Sequence, residues 1–197
     1  MTPVTRYHPA LVALHWLLAI LIVAALALGA LVMAKLANSD PHKLEALRAH
    51  MSGGALILIL MLARLFIRRR TAHPAPTTAG HPFLDRAAWL SHRLFYVAVI
   101  GMGASGIVMA LETRLPWVVF LDEGTLPADF WAFPVRYVHY GFSRVLMALI
   151  VLHVAGALYH ALILRDGLLK RMIFGRRYAH AHLLPAARRQ PLSEVQS

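Results

Sequence analysis

Four stretches of this chain contain no Lys, Arg, Asp or Glu, and they limit its possible folds more than any other feature. They are residues 7–34, 49–63, 94–111 and 145–164. A helix that crosses hydrocarbon needs about 20 mainly apolar residues. The second stretch reaches that length when its flanks are included. We therefore predict an all-α integral membrane protein, a four-helix transmembrane bundle. Its spans are expected near residues 9–34, 44–67, 88–111 and 135–164.

Composition supports a membrane protein. Apolar residues make up 59% of the 197 residues and charged residues only 15%, whereas a soluble domain carries roughly 25% charged residues. The first apolar run could instead be a secretory signal. The apolar part of such a signal is only about 7–15 residues long, so we expect a retained helix. The chain has no cysteine, which excludes disulfides, iron–sulfur clusters and covalent haem attachment.

The positive charge is unevenly placed. The formal net charge is +11, which in a soluble protein would suggest nucleic acid as a partner. Here the basic residues concentrate between the second and third spans and after the fourth, and the two opposite loops are poorer in them. Because positive loops stay cytoplasmic, both termini are predicted to lie in the cytoplasm. The charge then contacts anionic lipid rather than nucleic acid.

The chain divides into two parts. Residues 1–175 are predicted to form the transmembrane domain, and the basic segment 176–197 is predicted to be a disordered cytoplasmic tail. The loop 112–134 carries Trp117 and Trp131. Tryptophan is typical of a membrane edge, so we expect this loop to fold against the outer surface.

Three histidines lie in the last predicted span, at positions 139, 153 and 160. Fourteen residues of helix advance by about 1400°, close to whole turns, and rise about 21 Å. His139 and His153 should therefore share a face at two depths. An ionisable residue in hydrocarbon faces the bundle interior and needs a partner. One such histidine could be a satisfied helix contact, but two on one face suggest two ligands.

Two further histidines offer partners at matching depths. His15 lies near the inner end of the first span, and His50 lies near the outer end of the second. Depth pairs His15 with His153 and His50 with His139. Zinc would want four ligands in a tetrahedron, whereas haem takes one or two axial ligands, commonly His. Haem also needs an apolar slot.

Small residues near these histidines suit such a slot. Gly53 and Gly54 follow His50, and Gly156 follows His153. Small residues also allow helices to pack closely, and for Gly101, Gly103 and Gly106 of the third span both interpretations stay open. Haem propionates would want a cation near the membrane edge, and any such cation could instead be a snorkelling boundary residue. The candidates are Arg64, Arg68, Arg93 and Arg144.

The chain resembles the bacterial cytochrome b561 family. The resemblance is carried by His15–Trp16, by His50 with its glycines, by the run LMLARLFIRR at 60–69, by Leu90–Ser91–His92, by the fourteen-residue spacing of His139 and His153, and by RDGLLKRM at 165–172. It covers roughly residues 6–174.

The resemblance implies a dihaem cytochrome b of the bacterial inner membrane. Two b-type haems would be held by His15/His153 on the inner side and by His50/His139 on the outer side. The family moves single electrons across the membrane, commonly to or from ubiquinone. One branch is similar to superoxide oxidase, which passes electrons from superoxide to ubiquinone. Related chains serve as electron conduits docked to a dehydrogenase or hydrogenase, which is the alternative function.

Other residues leave the substrate open. His160 and His92 are candidates for contacting a quinone or a propionate, or are interfacial residues without a role. The outer loops are not basic overall, which weakens a superoxide assignment, although Lys43, Arg48 and Arg136 could form a local positive patch. A His-lined metal transporter is a third hypothesis. The lack of Asp or Glu in the interior of the spans and the pairing of the histidines by depth argue against it.

Overall fold

A computed structural model describes residues 4–76 and 78–177 of the chain. Four of its helices are long and apolar enough to cross a membrane, and the described residues form no β-sheet strand. The prediction of an all-α bundle with four spans is confirmed. These helices run Pro9–Met33, His42–Arg70, Pro82–Glu112 and Pro134–Leu164.

The helices are named in chain order. Helix α1 is Pro9–Ala27 and continues as a π-helical turn, Leu28–Met33; α2 is His42–Arg70; α3 is Pro82–Glu112; α4 is the short Leu115–Phe120; and α5 is Pro134–Leu158, continued by a π-helical turn, Tyr159–Leu164. Short 3₁₀ turns occupy Phe130–Ala132 and Leu168–Met172. Helices α1, α3 and α5 each have proline in the first turn, where its missing N–H costs nothing. Because Pro82 starts α3, this helix begins six residues before the predicted span.

The two ends of the bundle differ. The terminal end carries residues 4–8, the α2–α3 linker and residues 165–177. The cap end carries α4 and the α1–α2 connection. Helix α3 packs mainly against α5, and α2 lies against both α1 and α3. A buried apolar cluster joins all four long helices at mid-depth, and its members are Leu18, Ile22, Ile57, Met61, Ala98, Val99, Leu146 and Leu149.

Helix α4 closes the cap end. Val119 is 0% exposed and packs with Leu115, Leu47 and Ala110. The guanidinium of Arg48 donates to the carbonyl of Val119 at 2.6 and 3.1 Å. Segment 112–134 therefore folds onto the bundle, as its tryptophans suggested.

The terminal end is tied by hydrogen bonds between distant parts of the chain. Trp16 Nε1 donates to the carbonyl of Met172 at 2.8 Å, and Arg6 donates to the carbonyls of Ile173 and Phe174 at 3.1 and 3.2 Å. The segment after α5 is thus docked under the bundle. The predicted tail, 176–197, lies outside the described residues apart from Arg176 and Arg177.

The long helices turn most of their surface outward. In each apolar window only 11 to 17% of residues are buried inside the protein, and many exposed side chains are Leu, Ile, Val and Phe. A soluble protein rarely exposes contiguous apolar surface on this scale. The outward faces are those that lipid would cover.

Candidate functional site: two stacked histidine pairs

The first pair of histidines lies toward the terminal end. His15 is on α1 and His153 is on α5, and their ring centroids are 6.1 Å apart with planes at 66°. Both side chains are half-buried. The structure thus brings together two residues that are 138 positions apart in sequence, and we call them the terminal pair.

The second pair lies toward the cap end. His50 is near the start of α2 and His139 near the start of α5, and their ring centroids are 6.2 Å apart with planes at 73°. We call them the cap pair. The two pairs therefore have nearly the same separation and twist, and α5 contributes one residue to each.

The separations fit a metal held from both sides. A metal–imidazole nitrogen bond is about 2.0 Å long, so two such bonds plus the depth of both rings place the centroids roughly 6 Å apart. Within residues 4–76 and 78–177, no three His, Asp or Glu side chains converge on a point that could hold a metal ion. A two-ligand site suits the iron of a haem, whose other ligands come from the porphyrin, and does not suit tetrahedral zinc.

A buried polar atom in the cap pair lacks a protein partner. Nδ1 of His50 is buried and has no hydrogen-bond partner among the residues that the structure describes. A buried polar atom without a partner costs roughly 1–3 kcal/mol. Coordination of a metal would satisfy that ring, so the orphaned nitrogen fits a missing ligand group.

The other ring of the cap pair is held by a serine that the sequence analysis did not identify. Ser105 Oγ donates to the carbonyl of Met102 at 3.0 Å and lies 3.1 Å from Nδ1 of His139. Because the hydroxyl proton is committed to Met102, Nδ1–H of His139 is the donor to Ser105. That tautomer leaves Nε2 free to coordinate a metal, which is how outer partners orient metal-binding histidines. The sequence signal that could have identified Ser105 is its hydroxyl within an apolar stretch, because a hydroxyl in hydrocarbon needs a hydrogen-bond partner.

The glycines divide into two classes. A Cβ added at Gly53, Gly54 or Gly156 would meet no atom within 4 Å, so open space lies beside residues that follow the ligand candidates. A Cβ at Gly101 would lie 2.3–2.7 Å from the ring of Phe142, and one at Gly103 would lie 3.1 Å from Leu58. These two glycines allow α3 to approach its neighbours closely.

Gly106 belongs to neither class alone. A Cβ there would lie 3.3 Å from Cε1 of His139, so this glycine makes room for an imidazole of the cap pair. The choice left open for α3 is therefore decided residue by residue, with packing at 101 and 103 and ligand accommodation at 106.

An apolar layer separates the two pairs. Leu146 and Leu149 of α5 lie between His139 and His153 along the helix and belong to the buried mid-depth cluster. The two histidines of α5 are fourteen residues apart, about 21 Å along an ideal helix. Water is thus excluded from the space between the pairs.

Among the arginine candidates, Arg64 is the one that lies deep beside a pair. It is half-buried and donates to the hydroxyl of Tyr96, and its Nε is buried without a partner. It lies within electrostatic range of both His15 and His153. The described residues place no carboxylate within 4 Å of it. Such a cation suits an anionic group carried by a bound ligand.

Of the three other candidates, Arg68 is half-buried and lies within electrostatic range of His92, whereas Arg93 and Arg144 lie on aromatic rings at the surface. Arg93 is exposed and sits 3.6 Å from the ring centroid of Trp89, and Arg144 is exposed and sits 4.6 Å from that of Tyr140. Their geometry is that of cation–π contacts at a boundary.

Two further histidines lie at the terminal end. The ring of His92 is 5.5 Å from that of His153, and its Nδ1 is 2.6 Å from the carbonyl of Ala88. His160 is not in contact with either pair. Its Nδ1 lies 2.6 Å from Oδ2 of Asp166. Asp166 belongs to the RDGLLKRM motif and was not among the predicted site residues.

Lys43 is not available for the positive patch expected at the cap end. The side chain of Lys43 is buried, and Nζ donates to the carbonyls of Met33 and Leu36 at 2.6 and 2.9 Å. Its charge stabilises the end of the first span, where carbonyls lack helical partners. Arg48 is bonded to Val119 and lies 3.9 Å from Asp122, and Arg136 stacks at 4.6 Å from the ring centroid of Trp131. The expected steering patch is therefore largely occupied by structural contacts.

Comparison with known proteins identifies the family. The family model described as prokaryotic cytochrome b561 matches residues 6–175. The chain is 30% identical to cytochrome b561 homolog 2 of Escherichia coli K12 over 176 residues, covering 85% of this chain and 91% of that protein. It is 25% identical to the probable superoxide oxidase CybB of Yersinia pestis over 173 residues, covering 85% and 96%.

A further relative is cytochrome b561 homolog 1 of E. coli K12, 26% identical over 129 residues, with 63% of this chain and 72% of that protein covered. The family model spans most of the chain, including all four long helices and the docked segment after α5. This chain therefore belongs to the prokaryotic cytochrome b561 family and is a bacterial membrane protein with the b-type haem binding and oxidoreductase character of that family.

Proposed function

We propose that this protein is a dihaem cytochrome b of the inner membrane that transfers single electrons between a donor on the periplasmic side and ubiquinone. His15 and His153 would hold the haem near the cytoplasm, and His50 and His139 the haem near the periplasm. Under this proposal both termini are cytoplasmic, so the terminal end of the bundle is the inner end. Residues 1–175 form the functional domain.

One observation carries the proposal. Two histidine pairs at different levels have centroid separations of 6.1 and 6.2 Å. In a membrane interior, burial of an imidazole is expensive unless its ring nitrogens have partners. Nδ1 of His50 has no such partner, so a group outside the chain is the simplest means of satisfying the cap pair.

The roles of the chain's own residues follow from their contacts. Haem b, when bound, would supply a one-electron iron couple, and the histidines of each pair would hold it. Ser105 fixes the tautomer of His139, and the mid-depth leucines keep water from the space between the pairs. Arg64 would offer a half-buried cation to a propionate near the terminal pair.

The donor is proposed from the relatives. A protein named probable superoxide oxidase aligns over 96% of its length, which supports superoxide as electron donor and a stand-alone enzyme. The engagement of Lys43 and Arg48 at the cap end gives no independent support for anion steering. A conduit docked to a dehydrogenase or hydrogenase uses the same ligands, and it would copurify with that partner.

Ligand assignment is tested with one variant of each pair. His139→Ala should remove the periplasmic-side haem and His15→Ala the cytoplasmic-side haem, so each variant should hold one haem per chain, measured by haem extraction and by redox titration. The matched control is His42→Ala, which removes an exposed histidine of α2. Two haems per chain in either test variant would overturn the pairing.

The reaction is tested on the purified, haem-loaded protein without oxygen. Addition of superoxide should reduce the haem, and addition of ubiquinone should then reoxidise it, followed by visible absorption. Reduction by no small donor, together with a copurifying dehydrogenase, would establish the conduit function instead.

A further inference from the structure

The chain leaves the membrane at the terminal end through a strained turn. After the π-helical turn Tyr159–Leu164, Arg165 has φ 50° and Gly167 has φ 72°. A left-handed conformation is uncommon for a residue with a Cβ. Arg165 and Gly167, both in the left-handed conformation, flank Asp166 and reverse the chain. The side chain of Asp166 therefore points back toward the end of the last span.

That reversal places a carboxylate on an imidazole. Nδ1 of His160 and Oδ2 of Asp166 are 2.6 Å apart, and their side chains are only 13% and 25% exposed. The second carboxylate oxygen accepts from the backbone N–H of Leu168 at 2.9 Å. Both oxygens are therefore engaged, and the carboxylate cannot turn away without losing a bond.

The pKa of Asp166 indicates which side chain donates in the hydrogen bond between His160 and Asp166. Burial acts to raise the pKa of this carboxyl, but the hydrogen bonds from His160 and from the Leu168 N–H outweigh it, and the pKa lies below its usual value of 3.8. The carboxylate is therefore ionised at neutral pH, and its hydrogen bond is lost only as the pH falls through that depressed pKa. Nδ1 of His160 is the donor, so Nε2 is the nitrogen left for other partners.

We propose that Asp166 is a positioning residue that holds His160 in the Nδ1–H tautomer, so that Nε2 of His160 passes protons to ubiquinone at the cytoplasmic boundary. This inference rests on the proposed function. Reduction of a quinone to a quinol consumes two electrons and two protons, and the electrons come one at a time from the periplasmic-side donor. For each proton, the Nε2–H bond of doubly protonated His160 breaks as a quinone O–H bond forms.

The neutral imidazole then regains its proton from cytoplasmic water at the same nitrogen. Throughout, Nδ1–H of His160 stays hydrogen-bonded to the carboxylate of Asp166, as in other carboxylate–histidine pairs used for proton transfer. Other charged groups face this pair. Asp85 of α3 is within electrostatic range of His160, and Arg171 of the last 3₁₀ turn is within range of Asp166. The carboxylate of Asp85 is itself committed to Thr78 and the N–H of Ala79.

The test variant is Asp166→Asn. Asparagine keeps an oxygen for the Leu168 N–H but presents NH₂ to His160, so the imidazole must accept at Nδ1 and carry its proton on Nε2. Nitrogen NMR of labelled histidine in the reduced, haem-loaded protein should show the tautomer reversed. Ubiquinone reduction should fall about tenfold at about pH 7.5.

Two variants complete the experiment. Asp129→Asn is the matched control, since Asp129 also accepts from a 3₁₀-turn N–H, that of Trp131 at 2.8 Å, but lies at the cap end. It should change neither readout. Asp166→Glu keeps the carboxylate and should restore the Nδ1–H tautomer and most of the rate, even if Asp166→Asn loads haem poorly.

The outcomes separate this inference from the proposed function. A reversed tautomer with an unchanged rate of ubiquinone reduction would mean that the pair only stabilises the turn, and would overturn the inference. An unchanged tautomer would overturn it as well. If the wild-type protein holds two haems but does not reduce ubiquinone at any pH, the proposed function itself fails, which is seen before any variant is made.

Discussion

At the scale of single residues, the functional arrangement depends on hydrogen bonds that orient imidazoles. His139 is oriented by a hydroxyl of α3 and His160 by a carboxylate beyond α5. The two partners lie 34 and 6 residues away along the chain. In both cases the partner accepts from Nδ1–H, so Nε2 is the nitrogen available for a ligand or a proton. In a histidine, the hydrogen bond of one ring nitrogen commonly sets the role of the other.

Ser105→Ala tests the orientation of the cap pair. Removal of the hydroxyl leaves Nδ1–H of His139 without its acceptor, and loss of such an outer partner typically costs 10–100-fold in metal affinity. We expect weaker retention of one haem and a changed midpoint potential for that haem alone, measured by redox titration.

Ser91→Ala is the control for this variant. Ser91 is on the same helix, has the same 6% exposure as Ser105 and donates to a backbone carbonyl at the same 3.0 Å, that of Ala88. Its loss should leave both potentials unchanged. Equal effects of the two substitutions would show that Ser105 acts through helix stability and not through His139.

At the scale of helices, contact between α3 and α5 sets the position of the ligands. Helix α5 carries one histidine of each pair, and α3 carries none of the four but packs along α5. The bare backbone at Gly101 accepts the ring of Phe142. In membranes, small residues at helix interfaces permit this close approach.

Gly101→Ala should therefore push the two helices apart. The new Cβ would meet the Phe142 ring at 2.3–2.7 Å, and such overpacking typically costs about 1–3 kcal/mol. We expect a lower temperature of haem release and broader redox transitions. Gly141→Ala adds a methyl group to α5 where nothing lies within 4 Å, so it should leave both unchanged. Loss of stability in both variants would contradict a specific contact at Gly101.

At the scale of the whole molecule, the apolar surface and the distribution of charge define how the bundle sits in a membrane. The basic residues cluster around the terminal end, and the cap end is closed by α4. Positive segments are retained in the cytoplasm. The proposed direction of electron flow depends on this orientation, because it decides which histidine pair faces the periplasm.

Orientation is tested by labelling, because the chain has no cysteine. Ser39→Cys places a thiol in the exposed α1–α2 connection and Ala75→Cys places one in the exposed α2–α3 linker. On intact spheroplasts, an impermeant maleimide should label the first and spare the second until the membrane is opened. The opposite pattern would invert the assignment of inner and outer haem.

Much of the fold and the ligand candidates could be predicted because hydrocarbon imposes strict rules. The absence of charge over about 20 residues is enough to indicate a span, and a histidine within such a span needs a partner. Four spans and the pairing of four histidines by depth follow from counting residues along helices. The structure brings both predicted pairs together, and the histidine ligand roles themselves stay predictions.

Contacts between distant residues could be decided only by the tertiary structure. Lys43 and Arg48 looked available from the sequence, yet one caps the end of the first span and the other holds α4. Ser105, Arg64 and Asp166 acquire their roles from what another segment brings within about 3 Å, the length of a hydrogen bond. The sequence by itself determines spans, depth and charge, because lipid acts on each helix separately. Rotation and close approach of the helices determine which groups meet, because hydrogen bonds and packing act only at contact.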